Sequence, residues 1–283
     1  MANVDLRPMT LGEVLDRTFT LYREHFLLFV GISALPYLLT LIFKFGVLLL
    51  ERGHLSTATP NLQSPGVLGG LLVGAMGGGL LALLMMGLAQ AATVSAVSEL
   101  YLGRDTSVTE AYGQAKGSIT IVIAILIMTG LATIVGMILL IIPGIYLACR
   151  LAVSVPVAIA EKESPVASME RSMELTKGYG WQLFLLFLLV FVLAYVVAMI
   201  LQFPVMFFTV TAALAKHQVS TGVLVYSYLA EYVSQVIVAP IGTISACLMY
   251  YNLRVRKEGF DIQHLMNSLS SVPRPLADPP GVR

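Results

Sequence analysis

Long apolar runs alternate with short polar stretches along this chain, and three of the polar stretches are amphipathic at helical spacing. Residues 10–25 read TLGEVLDRTFTLYREH. Leu11, Val14, Leu15, Thr18, Leu21 and Tyr22 fall on one face, with Glu13, Asp16, Arg17, Thr20, Arg23 and Glu24 on the other. Thr10 and Glu13 form a capping box, each side chain taking a free backbone N–H at the helix start. The design recurs at 103–117, where Ser107 and Glu110 make the box and Val108, Ala111, Tyr112 and Ala115 share a face. It recurs at 164–177, where Ser164 is a good N-cap and Pro165 suits the first helical position. There Val166, Met169, Met173 and Thr176 lie on one side, and Gly178 supplies a stop.

The apolar runs lie at 26–50, from about 66 onward, and at 119–142, 145–160, 183–210 and 222–251. All but the short fourth reach the length that crosses a bilayer as a helix. The expected fold is therefore all-α: a polytopic membrane helix bundle of about six transmembrane helices with three cytoplasmic amphipathic surface helices. Residues 1–25 form the N-terminal surface helix, 26–253 the transmembrane domain, and 254–283 a basic flank, a short helix near 261–269 and a disordered tail. Pro143 and Gly144 are expected to end the third span at a hairpin corner, since proline lacks the N–H that continues a helix. Pro36, Pro156, Pro204 and Pro240 interrupt other spans. No cleavable signal peptide is expected, and the first span would act as an uncleaved anchor.

Composition agrees: 57% of the 283 residues are hydrophobic and 12% charged, against about 25% charged in soluble domains. A net charge of +1 gives no basic field for nucleic acid. Lysine and arginine number thirteen in the segments before span one, between two and three, between four and five, and after six, and two in the alternate segments. That bias places both termini in the cytoplasm. The three amphipathic helices, each followed by a span, suggest a threefold repeat of surface helix plus hairpin, although no regular solenoid period supports it.

Candidate chemistry is sparse. Lys44, Arg150 and Glu231 fall inside spans, roughly 9, 9 and 15 Å from the external ends at 1.5 Å per residue. Shared depth suggests that Glu231 pairs with Arg150, with Lys44 nearby. The set either packs the bundle or lines a ligand path. Gly66, Gly70, Gly74, Gly78 and Ala82 recur every four residues, a stripe for close helix packing within the bundle or between copies. Arg171, Lys177, Arg254, Arg256 and Lys257 suit anionic lipid headgroups. Cys149 and Cys247 read as packing residues, and the four histidines show no metal-ligand spacing. No nucleophile–base motif stands out, and no cofactor is implied.

The stretches LRPMTLGEVLDRTFTLYREHF, PGIYLACRLAVSVPVAIAEKESPVASMERSMELTKGYGWQLF and YYNLRVRKEGFDIQHL resemble a family of bacterial six-helix membrane proteins. These are labelled by similarity to the membrane domain of glycerophosphoryl diester phosphodiesterases. The PGIYLA corner and the S-x-x-L-T-K-G-x-x-W pattern at Ser172–Trp181 carry the resemblance most specifically. It implies an all-α bundle in a bacterial inner membrane. The labelled enzymes keep their acid residues and metal ligands in a separate barrel, so the resemblance carries over no catalytic residue. Three functions compete: a non-catalytic protein that organises lipid or a membrane partner, a carrier using Lys44, Arg150 and Glu231, and an intramembrane lipid enzyme.

Overall fold

The computed structural model describes residues 9–55, 65–215 and 220–270, and among them there is no strand. The surface helices are α1 (Leu11–Glu24), α4 (Val108–Ala115) and α8 (Pro165–Leu175); the apolar ones are α2 (Phe26–Leu55), α3 (Pro65–Tyr101), α5 (Ile119–Leu139), α6 (Ile141–Leu151), α7 (Ser154–Glu161), α9 (Gly180–Leu214) and α10 (Thr221–Ser270). Six candidate spans result, at Phe26–Leu50, Gly74–Tyr101, Ile119–Leu139, Ile141–Glu161, Gly180–Ala212 and Thr221–Gly259. The chain is an all-α, multi-pass membrane bundle. The expected separate helix near 261–269 is instead the end of α10, whose 50 residues rise about 75 Å. Arg52 and His54, in a polar stretch expected to be a loop, fall at the end of α2, while residues 56–64 and 216–219 and the 271–283 tail lie outside the described residues.

Both capping boxes form: the Glu13 and Ser107-partner Glu110 carboxylates accept from the backbone N–H of Thr10 and Ser107 at 2.6 and 2.9 Å. Ser164 caps α8 through the Ala167 N–H, and Gly178 takes φ +89°, the left-handed turn that closes it. α1 turns Val14, Thr18, Leu21 and Tyr22 into the protein. Its contacts with α10 climb from Asn252, which brackets the Met9 backbone at 2.8 and 3.0 Å, through Ser245 to Ile237. α1 thus lies along α10. α8 packs Ser168, Ser172, Leu175 and Thr176 inward while Val166 is exposed, so its packed face is small and polar and offset from the expected Val166–Met173 side.

Prolines shape the spans by removing rungs from the i→i−4 ladder. The hairpin corner sits at Leu140 (φ −160°, ψ 142°), three residues before the expected Pro143–Gly144. Pro143 cannot donate back to Leu139, so α5 closes there and Pro143 falls in the first turn of α6. Gly144 then packs against α5: a Cβ on it would lie 2.6 Å from the Met137 nitrogen, and one on Gly136 would lie 2.9 Å from the Gly144 Cα. Pro156 likewise cannot reach Ala152, and the fourth span breaks at Ala152–Val153 into α6 and α7.

α2, α9 and α10 run through their prolines, and near each a tyrosine hydroxyl meets a carbonyl of the preceding turn; in α2 it is the carbonyl that the proline leaves without a donor. Tyr112 Oη donates to Ile32 O, four residues before Pro36. Tyr22 Oη donates to Ile237 O at 2.9 Å, three before Pro240. Tyr226 Oη donates to Leu201 O at 3.1 Å, three before Pro204. Mid-span prolines are tolerated where neighbours satisfy the freed carbonyls.

Packing is graded along the spans. Most of the fully buried side chains sit where each span adjoins a surface helix: Phe29 and Ile32 on α2, Ala91–Val97 on α3, Val122 and Ile125 on α5, Leu183 and Leu186 on α9, Ile244–Leu253 on α10. Toward the far ends α5 and α9 expose most of their surface, including Leu131, Ile138, Phe191, Phe203 and Phe207. Contacts there join α5 to α6 through Gly136 and Gly144, and set α3, α2, α10 and α9 in a row through Gly78 with Phe43, Lys44 with Glu231, and Gln202 with Ser227.

The glycine stripe is used at one point among the described residues. A Cβ on Gly78 would lie 3.0 Å from the Phe43 ring, one on Gly74 would meet nothing within 4 Å, and Ala82 is exposed. The surroundings of Gly66 and Gly70 lie outside the described residues. The close α3–α5 approach instead uses Gly87, where a Cβ would lie 3.0 Å from Ile123.

Candidate functional site

The break at Ala152–Val153 leaves the last carbonyls of α6 without helical donors. α8 supplies them: Ser172 Oγ donates to Arg150 O at 2.8 Å and Thr176 Oγ1 to the same oxygen at 3.2 Å. Ser154 Oγ caps Leu151 O at 2.7 Å. The exchange is reciprocal, because the Arg150 guanidinium donates to Met173 O and Lys257 to Glu174 O. Two cations thus meet the negative end of the α8 dipole. Tyr146 completes the clasp, its hydroxyl accepting from Arg150 at 3.1 Å.

A second network ties α7, α8 and α10. Arg171 reaches Glu161 at 3.3 Å, Glu174 at 3.1 Å, and Glu258. Glu258 accepts from Arg254 at 2.7 Å, Arg254 donates to Tyr250 Oη at 3.2 Å, and Tyr250 donates to Glu161 at 2.8 Å, closing a ring. Burial works against the Arg171 charge, but the three carboxylates outweigh it and hold its pKa above the ordinary value. Arg256 donates to Met9 O at 2.6 Å and lies 5.7 Å from the Tyr179 ring. Of the five basic residues expected to face headgroups, Arg171, Arg254, Arg256 and Lys257 therefore have protein partners, and Lys177 is exposed.

The intramembrane charges separate. Glu231 pairs with Lys44 at 2.5 Å, not with Arg150. Gln235 donates to the other Glu231 oxygen at 3.3 Å, and the Tyr228 ring lies 5.8 Å from the Lys44 ammonium. Shared depth does not bring Arg150 to them, because its guanidinium is held by Met173 O of α8 and the Tyr146 hydroxyl. The break instead leaves Arg150 at the end of α6 against α8. Cys149 and Cys247 are buried free thiols, and no group of residues suited to a metal occurs among the described residues.

Beside the α6–α7 break a cavity of about 270 Å³ opens between α2, α3, α7, α9 and α10. Its polar lining is Ser33, Tyr37, Gln90, Thr93 and Thr243. Nothing in the sequence pointed to it, since these residues share no spacing and meet only in the folded bundle.

The family described as the membrane domain of glycerophosphoryl diester phosphodiesterase matches residues 116–272. This chain belongs to that family. The match to the glycerophosphodiesterase membrane-domain family covers α5 to α10, and so includes the broken span, the α8 clasp, the carboxylate ring and the α9–α10 hairpin. It is a match to the membrane domain, not to the catalytic domain of such enzymes. No curated protein and no solved structure matches the chain.

Proposed function

We propose that this chain is a non-catalytic membrane protein that organises lipid, with both termini in the cytoplasm of a bacterium and the bundle in its inner membrane. The graded packing carries the reading: a clasped end holds spans that expose apolar side chains toward their far halves, most of all along α5 and α9. Acyl chains are the natural filling for such surfaces. The basic residues of the clasped end are largely engaged by protein, so organisation acts through the spans more than through headgroup charge. The bias of lysine and arginine toward the clasped end supports the orientation.

A carrier is the second reading, favoured by the Lys44–Glu231 pair between α2 and α10. Purified protein in vesicles separates the two. The organising role expects no release of alcohol from glycerophosphodiesters and no solute or lipid movement that changes with Glu231→Gln. Transfer that depends on Glu231 would replace it with the carrier.

A further inference from the structure

The structure assigns the cavity beside the α6–α7 break as a binding site for an uncharged lipid bearing hydroxyl or carbonyl groups. Ser33 and Tyr37 line it and are 1% and 7% exposed. The Ser33 and Tyr37 hydroxyls and the Gln90 amide beside them make no hydrogen bond to another described residue and stay open to the cavity. Thr93 and Thr243 are different, since their hydroxyls donate back to Ala89 O and Ala239 O. Ala152 also lines the cavity, and Pro156 has withdrawn the N–H that would meet its carbonyl.

The wall therefore offers hydroxyl and amide groups and no charged side chain. Buried polar groups of this kind are almost always satisfied. An ion would find no counter-charge, and a bare acyl chain would leave the donors unpaired. An uncharged polar group attached to hydrocarbon satisfies both conditions. The volume of about 270 Å³ lies just below the usual range of ligand pockets, about 300–1,000 Å³. It takes the polar end of one lipid, with the chain leaving past the exposed Met86 at its rim. The site is separate from the organising role, which concerns the far halves of the spans.

The test is native mass spectrometry of the full chain released from phosphatidylethanolamine–phosphatidylglycerol nanodiscs containing dioleoylglycerol as probe. Wild type is expected to retain one dioleoylglycerol. Ser33→Ala combined with Gln90→Leu should lower the retained fraction about tenfold, through two lost hydrogen bonds. Glu231→Gln, outside the cavity, should leave it unchanged. Tyr37→Phe, which preserves shape, should lower it severalfold and covers the case in which the double variant does not fold. No dioleoylglycerol on wild type, or equal retention by wild type and the Ser33, Gln90 and Tyr37 variants, would overturn the assignment.

Discussion

Tyr112→Phe tests whether tyrosines hold the proline-broken spans together. The phenyl ring stays and only the hydroxyl that donates to Ile32 O is lost. Burial, and secondarily Tyr37, push the Tyr112 phenol pKa up, so the hydroxyl is a protonated donor throughout the working range. Ile32 is fully buried and Pro36 offers it no N–H, so its carbonyl has no ladder donor to fall back on. Leaving a buried acceptor unpaired costs about 1–3 kcal/mol, while hydrogen bonds in membrane bundles average about 0.6 and reach about 1.7 kcal/mol. A loss of about 1 kcal/mol is expected, a fall in Tm of roughly 2–4 °C. Pro36→Ala restores an N–H four residues beyond Ile32, so in that background Tyr112→Phe should cost under about 0.3 kcal/mol. Thermal unfolding of all four proteins in one detergent reads the cycle. An equal cost in both backgrounds would refute the reasoning.

Glu231→Gln leaves Lys44 unpaired inside the bundle and should destabilise it by about 2–3 kcal/mol, the cost of an intramembrane charge. Adding Lys44→Met should recover most of that loss, and a thermal-stability cycle showing no coupling would contradict the pair. Gly144→Ala would place a Cβ 2.6 Å from the Met137 backbone nitrogen and should cost about 1–3 kcal/mol by overpacking. Gly12→Ala, with nothing within 4 Å, should instead stabilise by about 0.5–1 kcal/mol; equal melting shifts would show that the α5–α6 contact is not tight.

Local signals in the sequence carried far. The two capping boxes, the Ser164 cap and the Gly178 stop depend on residues within a turn of each other, and each is present. The hairpin corner was displaced because proline acts on the carbonyl four residues behind it, so Pro143 marks a break at Leu140. The same rule at Pro156 splits the fourth span, and Arg150, at the end of its first half, is engaged by α8 instead of Glu231. A four-residue glycine register singled out Gly66 through Ala82, yet the tight α3–α5 contact falls at Gly87, one residue off that register. Which glycine face is used depends on where α5 lands, and no local pattern encodes that. The Ser172 to Thr176 spacing looked like a family signature without a task; in the fold it caps a carbonyl that only the break makes available.

The most direct test of the organising role is a photolabelling map. The chain is placed in vesicles with a phospholipid carrying a diazirine at its acyl end, irradiated, and read by peptide mass spectrometry. Label is predicted on Leu38, Leu39 and Ile42 of α2 and on Leu229 and Val233 of α10 as well as on Phe191 and Phe203 of α9, because all are exposed in the far halves. Label confined to α5 and α9, with α2 and α10 protected, would show a closed bundle and contradict the account.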